Sequence, residues 1–216
     1  WVAALEEPSR DRQGVVAALD REPRHGRLQP ARSGARCMLF LLLAALPALA
    51  ADVAFWIEPC TSMKSACVAG DMDLARWAFQ AWEKASGGEL RLIETTNRGT
   101  ALIRVVWAEK DSGLYGEAVP ILVNGRRGRE LHIQIMQTAG DDPLLRDAIV
   151  YLTCLHESGH ALGLEHTRTF ADIMYSFQYG GDITEYFGRY RRRLAGRGDI
   201  QQNSGMSSAD RGALDA

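Results

Sequence analysis

The chain has 216 residues, 46% of them hydrophobic, which is room for one ordinary domain and some additional sequence. Its formal net charge of -2 gives no basis for a nucleic-acid partner or for adhesion to an anionic membrane. Four cysteines are too few to build a disulfide scaffold, so composition leaves a globular domain whose chemistry must be read from motifs.

Residues 1–36 are rich in Arg, Pro, Gly and Ala and sustain no apolar period. An apolar run follows from Met38 to Ala51, too short to span a bilayer comfortably. It contains Ala48-Leu49-Ala50, a small-x-small pattern that a signal peptidase accepts, with Arg32 and Arg36 as its positive flank. The expectation is a cleaved secretory signal within residues 1–50 and a single catalytic domain over 51–216; a buried core helix or an uncleaved anchor are the alternatives. Residues 1–36 are then an extended n-region or an upstream stretch, and no fold is assigned to them. Export implies an extracellular or periplasmic destination, oxidising, with no membrane insertion after cleavage. There Cys60 and Cys67 are close enough in the chain to bridge, while Cys154 suits a small buried hydrophobe and Cys37 leaves with the signal.

From Asp73 to Ala85, Leu74, Trp77, Ala78, Ala81 and Trp82 recur at helical steps, and Gly87-Gly88 ends the pattern. Strands are expected over Leu90–Glu94, Ala101–Trp107, Ala118–Val123 and Leu131–Ile135, with Asn124-Gly125 as a tight turn. After Asp141-Asp142-Pro143, a helix start, the stripe Leu144, Ala148, Leu152, Leu155, Gly159 and Leu162 marks a long helix ending at Gly163. Helix, strands, then helix predict an α+β domain with one twisted sheet.

Residues 156–166 read HESGHALGLEH. His156 and His160, four apart on a helix, share a face and can reach one metal ion. A catalytic zinc needs a third protein ligand and an open position, and Gly163 lets the chain turn so that His166 supplies that ligand. Glu157 would stand beside the metal as general base, taking a proton from water and later passing it to a departing amine.

On these residues the chain resembles the metzincin metallopeptidases, and within them the matrixins. Asp172-Ile173-Met174-Tyr175, shortly after His166, looks like the family's Met-turn, with Met174 and Tyr175 supporting the site. Thr167 stands where astacins have Glu. The helix from Arg76 to Trp82 is similar to the first matrixin helix, and Ser207-Ser208-Ala209-Asp210 is similar to the opening of the last. The resemblance implies a mostly parallel five-stranded sheet over two long helices, with a small C-terminal subdomain. It implies endopeptidase action on a protein or peptide bound along the edge Tyr115-Gly116-Glu117-Ala118. One catalytic Zn2+ is the expected cofactor; His132 is read as an ordinary strand residue, and Ca2+ has no residues assigned to it. The expected assembly is a monomer. No cysteine-switch motif occurs, so latency by that route is not expected.

The segment 176–206 is an insertion by comparison, carrying Arg189, Arg191, Arg192, Arg193 and Arg197. A solvated helix face is its plain interpretation, and contact with an acidic substrate or cell surface the other. For the whole chain, two alternatives to the peptidase stand: a catalytically silent zinc scaffold that binds a partner, and an amidase acting on a non-protein, cell-wall amide.

Overall fold

The structure, a computed structural model, describes residues 51–62, 65–109, 115–135 and 141–215. The apolar run expected as a secretory signal lies outside the described residues. No helix among them is long and apolar enough to cross a membrane.

The fold is α+β. Five strands, β1 (Ala51–Ile57), β2 (Leu90–Glu94), β3 (Ile103–Trp107), β4 (Gly116–Val123) and β5 (Arg126–Ile133), form one sheet in the order β2-β1-β3-β5-β4. All neighbours are parallel except β4 and β5, an antiparallel hairpin that leaves β4 on the edge. Its turn is Asn124-Gly125, both at positive φ (50° and 78°), the conformation that matches strand twist and that Asn and Gly tolerate best. Strand β1 was not expected from the residues: Val53-Ala54-Phe55-Trp56-Ile57 is uniformly apolar rather than alternating. Its place between two parallel strands defines it instead, with Phe55 and Ile57 buried in the core and Trp56 between them half-buried.

Two helices pack on each other and on this sheet, α1 (Asp71–Ala85) against β2 and α2 (Pro143–Ala161) against β4 and β5. Phe79 of α1 stacks on Phe55 of β1 with ring centroids 4.2 Å apart. Trp82, fully buried, donates its indole N–H to Leu155 O at 2.9 Å and Ser158 Oγ at 3.0 Å, fastening α1 to α2. Helix α2 begins as Pro143 and its predecessor suggest: the Asp142 carboxylate accepts from the N–H groups of Leu144 and Leu145. The expected single stripe understates its burial. Every residue from 148 to 159 is buried, so α2 is the central spine of the domain and not a surface helix.

Before α1, Cys60 and Cys67 are joined in a disulfide, and the fully buried Asp71 accepts from Val68 N and from both terminal nitrogens of Arg146 on α2. Cys154 is a free, buried thiol, and burial pushes its pKa well up, as for an inert core residue. Past α2 come α3 (Ile183–Arg191), α4 (Asp199–Gln202) and α5 (Ser208–Gly212). The insertion is not a solvated face throughout. Tyr186, Phe187 and Tyr190 of α3 enter the core beside α2, because α2 has an apolar side that neither α1 nor the sheet covers.

Candidate metal centre

Helix α2 carries His156 and His160 one turn apart, buried and half-buried respectively. The helix stops at once afterwards: Leu162 caps it, and Gly163 takes φ 96°, a left-handed conformation that costs a side-chain-bearing residue about 1 kcal/mol or more. Leu164 N then bonds back to Gly159 O at 3.0 Å, and the chain doubles back so that His166 faces the other two imidazoles.

The three Nε2 atoms form a triangle with sides of 3.1, 3.1 and 3.2 Å. A hydrogen bond between His156 and His160 does not explain their approach. His156 Nδ1 lies 2.7 Å from Ile173 O and His160 Nδ1 lies 2.8 Å from Leu164 O. A carbonyl only accepts, so each Nδ1 carries the proton and each Nε2 presents a lone pair to its neighbours. Converging lone pairs repel one another unless a cation lies between them. Nitrogen ligands about 2.0–2.1 Å from a tetrahedral zinc stand roughly 3.3 Å apart, close to the observed triangle. His156, His160 and His166 are thus a zinc-binding type of group, with the rings of His156 and His160 oriented by carbonyl partners.

Burial reinforces this. Desolvation holds His156 well below the ordinary imidazole pKa, with the neighbouring His160 adding to the effect. Desolvation also lowers His160, and it lowers His166, with help from His160, to about 4. All three shifts favour the neutral imidazole that metal binding requires. A stability consequence follows for the metal-free chain. His166 takes up its proton near pH 6.5 when unfolded but near 4 when folded, so the unfolded state binds the proton first. Its contribution is complete above about pH 6.5 and declines as pH falls towards about 4. The melting temperature of the chelator-treated chain should drop across that window, and less so in His166→Gln. A flat profile in the parent chain would contradict this assignment.

Beneath the triangle runs the turn Asp172–Tyr175. Met174 is buried with its Sδ against the helix at Gly159; a methyl group added at Gly159 would stand 2.5 Å from that sulfur, so the helix must be bare there. Thr167 N bonds Met174 O at 2.8 Å, and Thr167 forms a bridge with Tyr175, tying the third histidine's segment to the turn. The turn is in turn anchored from α5. Ser207 and Asp210 form a reciprocal capping box there, and the buried Asp210 carboxylate also accepts from Ile173 N at 2.9 Å and Met174 N at 3.4 Å. Tyr186 of α3 donates to Asp172 O at 2.9 Å. Asp210 was legible only as a local cap; its reach across to residue 173 leaves no local signal.

Glu157, 1% exposed, lies next to His156 on the side of α2 that faces the edge strand. A methyl group on Gly116 would sit 2.6 Å from Glu157 Oε1, 2.7 Å from its Cγ and 2.8 Å from Thr153 Cγ2. The start of β4 can approach this carboxylate only because residue 116 has no side chain. Of the edge residues singled out from the sequence, Tyr115 is buried against Phe187, Glu117 is exposed and Ala118 is half-buried. His132 sits on β5 beside Glu130, 3.2 Å away, apart from the triangle.

No family model and no curated protein matches the chain. Among solved structures, the crystal structure of archaemetzincin from Methanopyrus kandleri is similar, with 14% sequence identity and a TM-score of 0.41 over 79% of this chain and 97% of that one.

Proposed function

We propose that the chain is a zinc-dependent metalloendopeptidase of the metzincin type, exported from the cell and cleaving protein or peptide substrates. The observation that carries this proposal is the triangle of three Nε2 atoms, with Glu157 next to His156 in the chain and the start of the edge strand β4 close against the Glu157 carboxylate. The Met174-Tyr175 pair under the site and Thr167 after the third histidine favour the matrixin branch.

Zinc in the triangle would supply Lewis acidity towards a scissile carbonyl and an acidified water. Glu157 takes the proton from the attacking water and delivers it to the departing amine, so one carboxylate serves as base and then as acid. Its burial leaves few solvent molecules to compete for that proton. The edge of β4 from Tyr115 to Ala118 is the natural place for an extended substrate to add as a strand, which aligns the scissile bond beside the triangle. Gly116 then positions Glu157. Gly116→Ala should lower kcat roughly 10²-fold by shifting the carboxylate about an ångström, with zinc content unchanged. Parent-like turnover in that variant would show that the close approach is irrelevant to catalysis.

The primary test is incubation of the zinc-loaded full chain with a complex peptide mixture, followed by mass spectrometry. Cleavage that a zinc chelator abolishes and added zinc restores supports the peptidase. If zinc binds at one equivalent and no peptide is cut, the same preparation should be offered cell-wall amides, and inertness there would leave a partner-binding scaffold.

A further inference from the structure

The arginines of the segment 189–197 divide into two sets. Arg191 pairs with Asp142, Arg192 with Glu185 and Arg197 with Asp147. Arg189 and Arg193 have no carboxylate within ion-pair distance among the described residues, yet both line one cavity of about 60 Å³ behind the Asp172–Tyr175 turn. Leu152 of α2, Tyr186 and Tyr190 of α3, and Gly205 supply the rest of the wall that matters here.

Arg189 is held in place. Its guanidinium carbon lies 4.4 Å from the Tyr186 ring centroid and 4.9 Å from that of Phe170, so the planar group rests on aromatic faces at the cavity wall. The two tyrosine hydroxyls are already committed, Tyr186 to Asp172 O and Tyr190 to Asn203 O. The donors that remain at the cavity are therefore the guanidiniums. Arg189 is half-buried and Arg193 exposed, and an anion between the two guanidiniums would accept charge-assisted hydrogen bonds from both. The volume admits a handful of water-sized atoms, the bulk of a tetrahedral oxyanion and far less than a nucleotide.

We propose that this cavity is a binding site for a small oxyanion of the sulfate or phosphate kind, clasped by Arg189 and Arg193. It uses none of the imidazoles and stands or falls separately from the peptidase. The competing role for these arginines is to complement the C-terminal dipole of α3, which needs no ligand.

Sulfate is the probe of choice, titrated calorimetrically into the metal-free full chain at constant ionic strength set with chloride. Omitting zinc keeps the anion from reporting on the histidines. One saturable site is expected, weakened at least about tenfold in Arg189→Gln/Arg193→Gln and unchanged in Arg192→Gln, which removes an arginine that already has a partner. In the unaltered chain, the amide resonances of Ala171 and Gly205 should move saturably with sulfate. Three results would each overturn the proposal: heat no greater than chloride gives, equal affinity in the double variant, or amide shifts confined to other regions. Should the double variant fail to fold by circular dichroism, the amide map of the unaltered chain decides alone.

Discussion

Glu157→Gln is expected to abolish the proposed peptide cleavage and to leave zinc bound. The substitution keeps the size of the side chain beneath Gly116, where there is no room for rearrangement, and removes only its ability to accept and return a proton. Because Glu157 is assigned both proton transfers, the loss in kcat should be at the upper end for general acid–base catalysis, about 10³- to 10⁴-fold. Nothing in the ligand triangle changes, since His156 and His160 are held by Ile173 O and Leu164 O. Zinc content by atomic absorption should stay at one equivalent, and KM should move little. A variant retaining more than about a tenth of parental kcat would remove Glu157 from the chemistry. A variant that lost its zinc would show that the carboxylate supports the metal instead.

The second large effect is on stability. Asp210→Ala removes a buried carboxylate that accepts from Ser207 N at 2.8 Å, Ile173 N at 2.9 Å and, more weakly, Met174 N at 3.4 Å. Each buried N–H left without a partner costs about 1–3 kcal/mol, so roughly 3–5 kcal/mol is expected for the set. For a domain of this size that lowers the melting temperature by about 10 °C or more, best measured on the metal-free chain, where zinc does not mask it. Since Ile173 O orients His156, zinc affinity should fall as well. Asp210→Asn keeps one acceptor oxygen and should recover part of both losses. A shift under about 2 °C in Asp210→Ala would mean that the turn is held by its other contacts, such as Tyr186 to Asp172 O.

The three clustered histidines were legible because their geometry is local: His156 and His160 are set by helical pitch, and His166 by the reversal at Gly163. The same holds for the Asp142-Pro143 start of α2 and the Asn124-Gly125 turn, each a backbone rule with its own residues. What escaped is non-local. Strand β1 is apolar throughout Val53–Ile57 and lies just after another apolar run, so no alternation marks it; only its two parallel neighbours define it. The stripe on α2 was visible, but its opposite faces are apolar too, and which partner covers each depends on the tertiary fold. Asp210 looks like a cap because it is one, and its second duty needs residue 173 to arrive from elsewhere. The arginines of α3 suggested a charged surface, whereas Tyr186, Phe187 and Tyr190 between them carry the helix into the core.

The enclosure of α2 sets unequal rates within the site. Two of the three ligands ride on a helix whose residues 148–159 are all buried, so moving them requires opening the core, a rare and slow event. His166 is exposed and follows the left-handed Gly163, on a segment held by a few backbone hydrogen bonds, Leu164 N to Gly159 O and Thr167 N to Met174 O, which can open at less cost than the buried helix. Metal exchange should therefore pass through a two-coordinate state in which only the His166 arm has let go. Uptake would begin on a preformed pair of imidazoles and finish when that arm closes, and release would be timed by the arm rather than by unfolding of the helix.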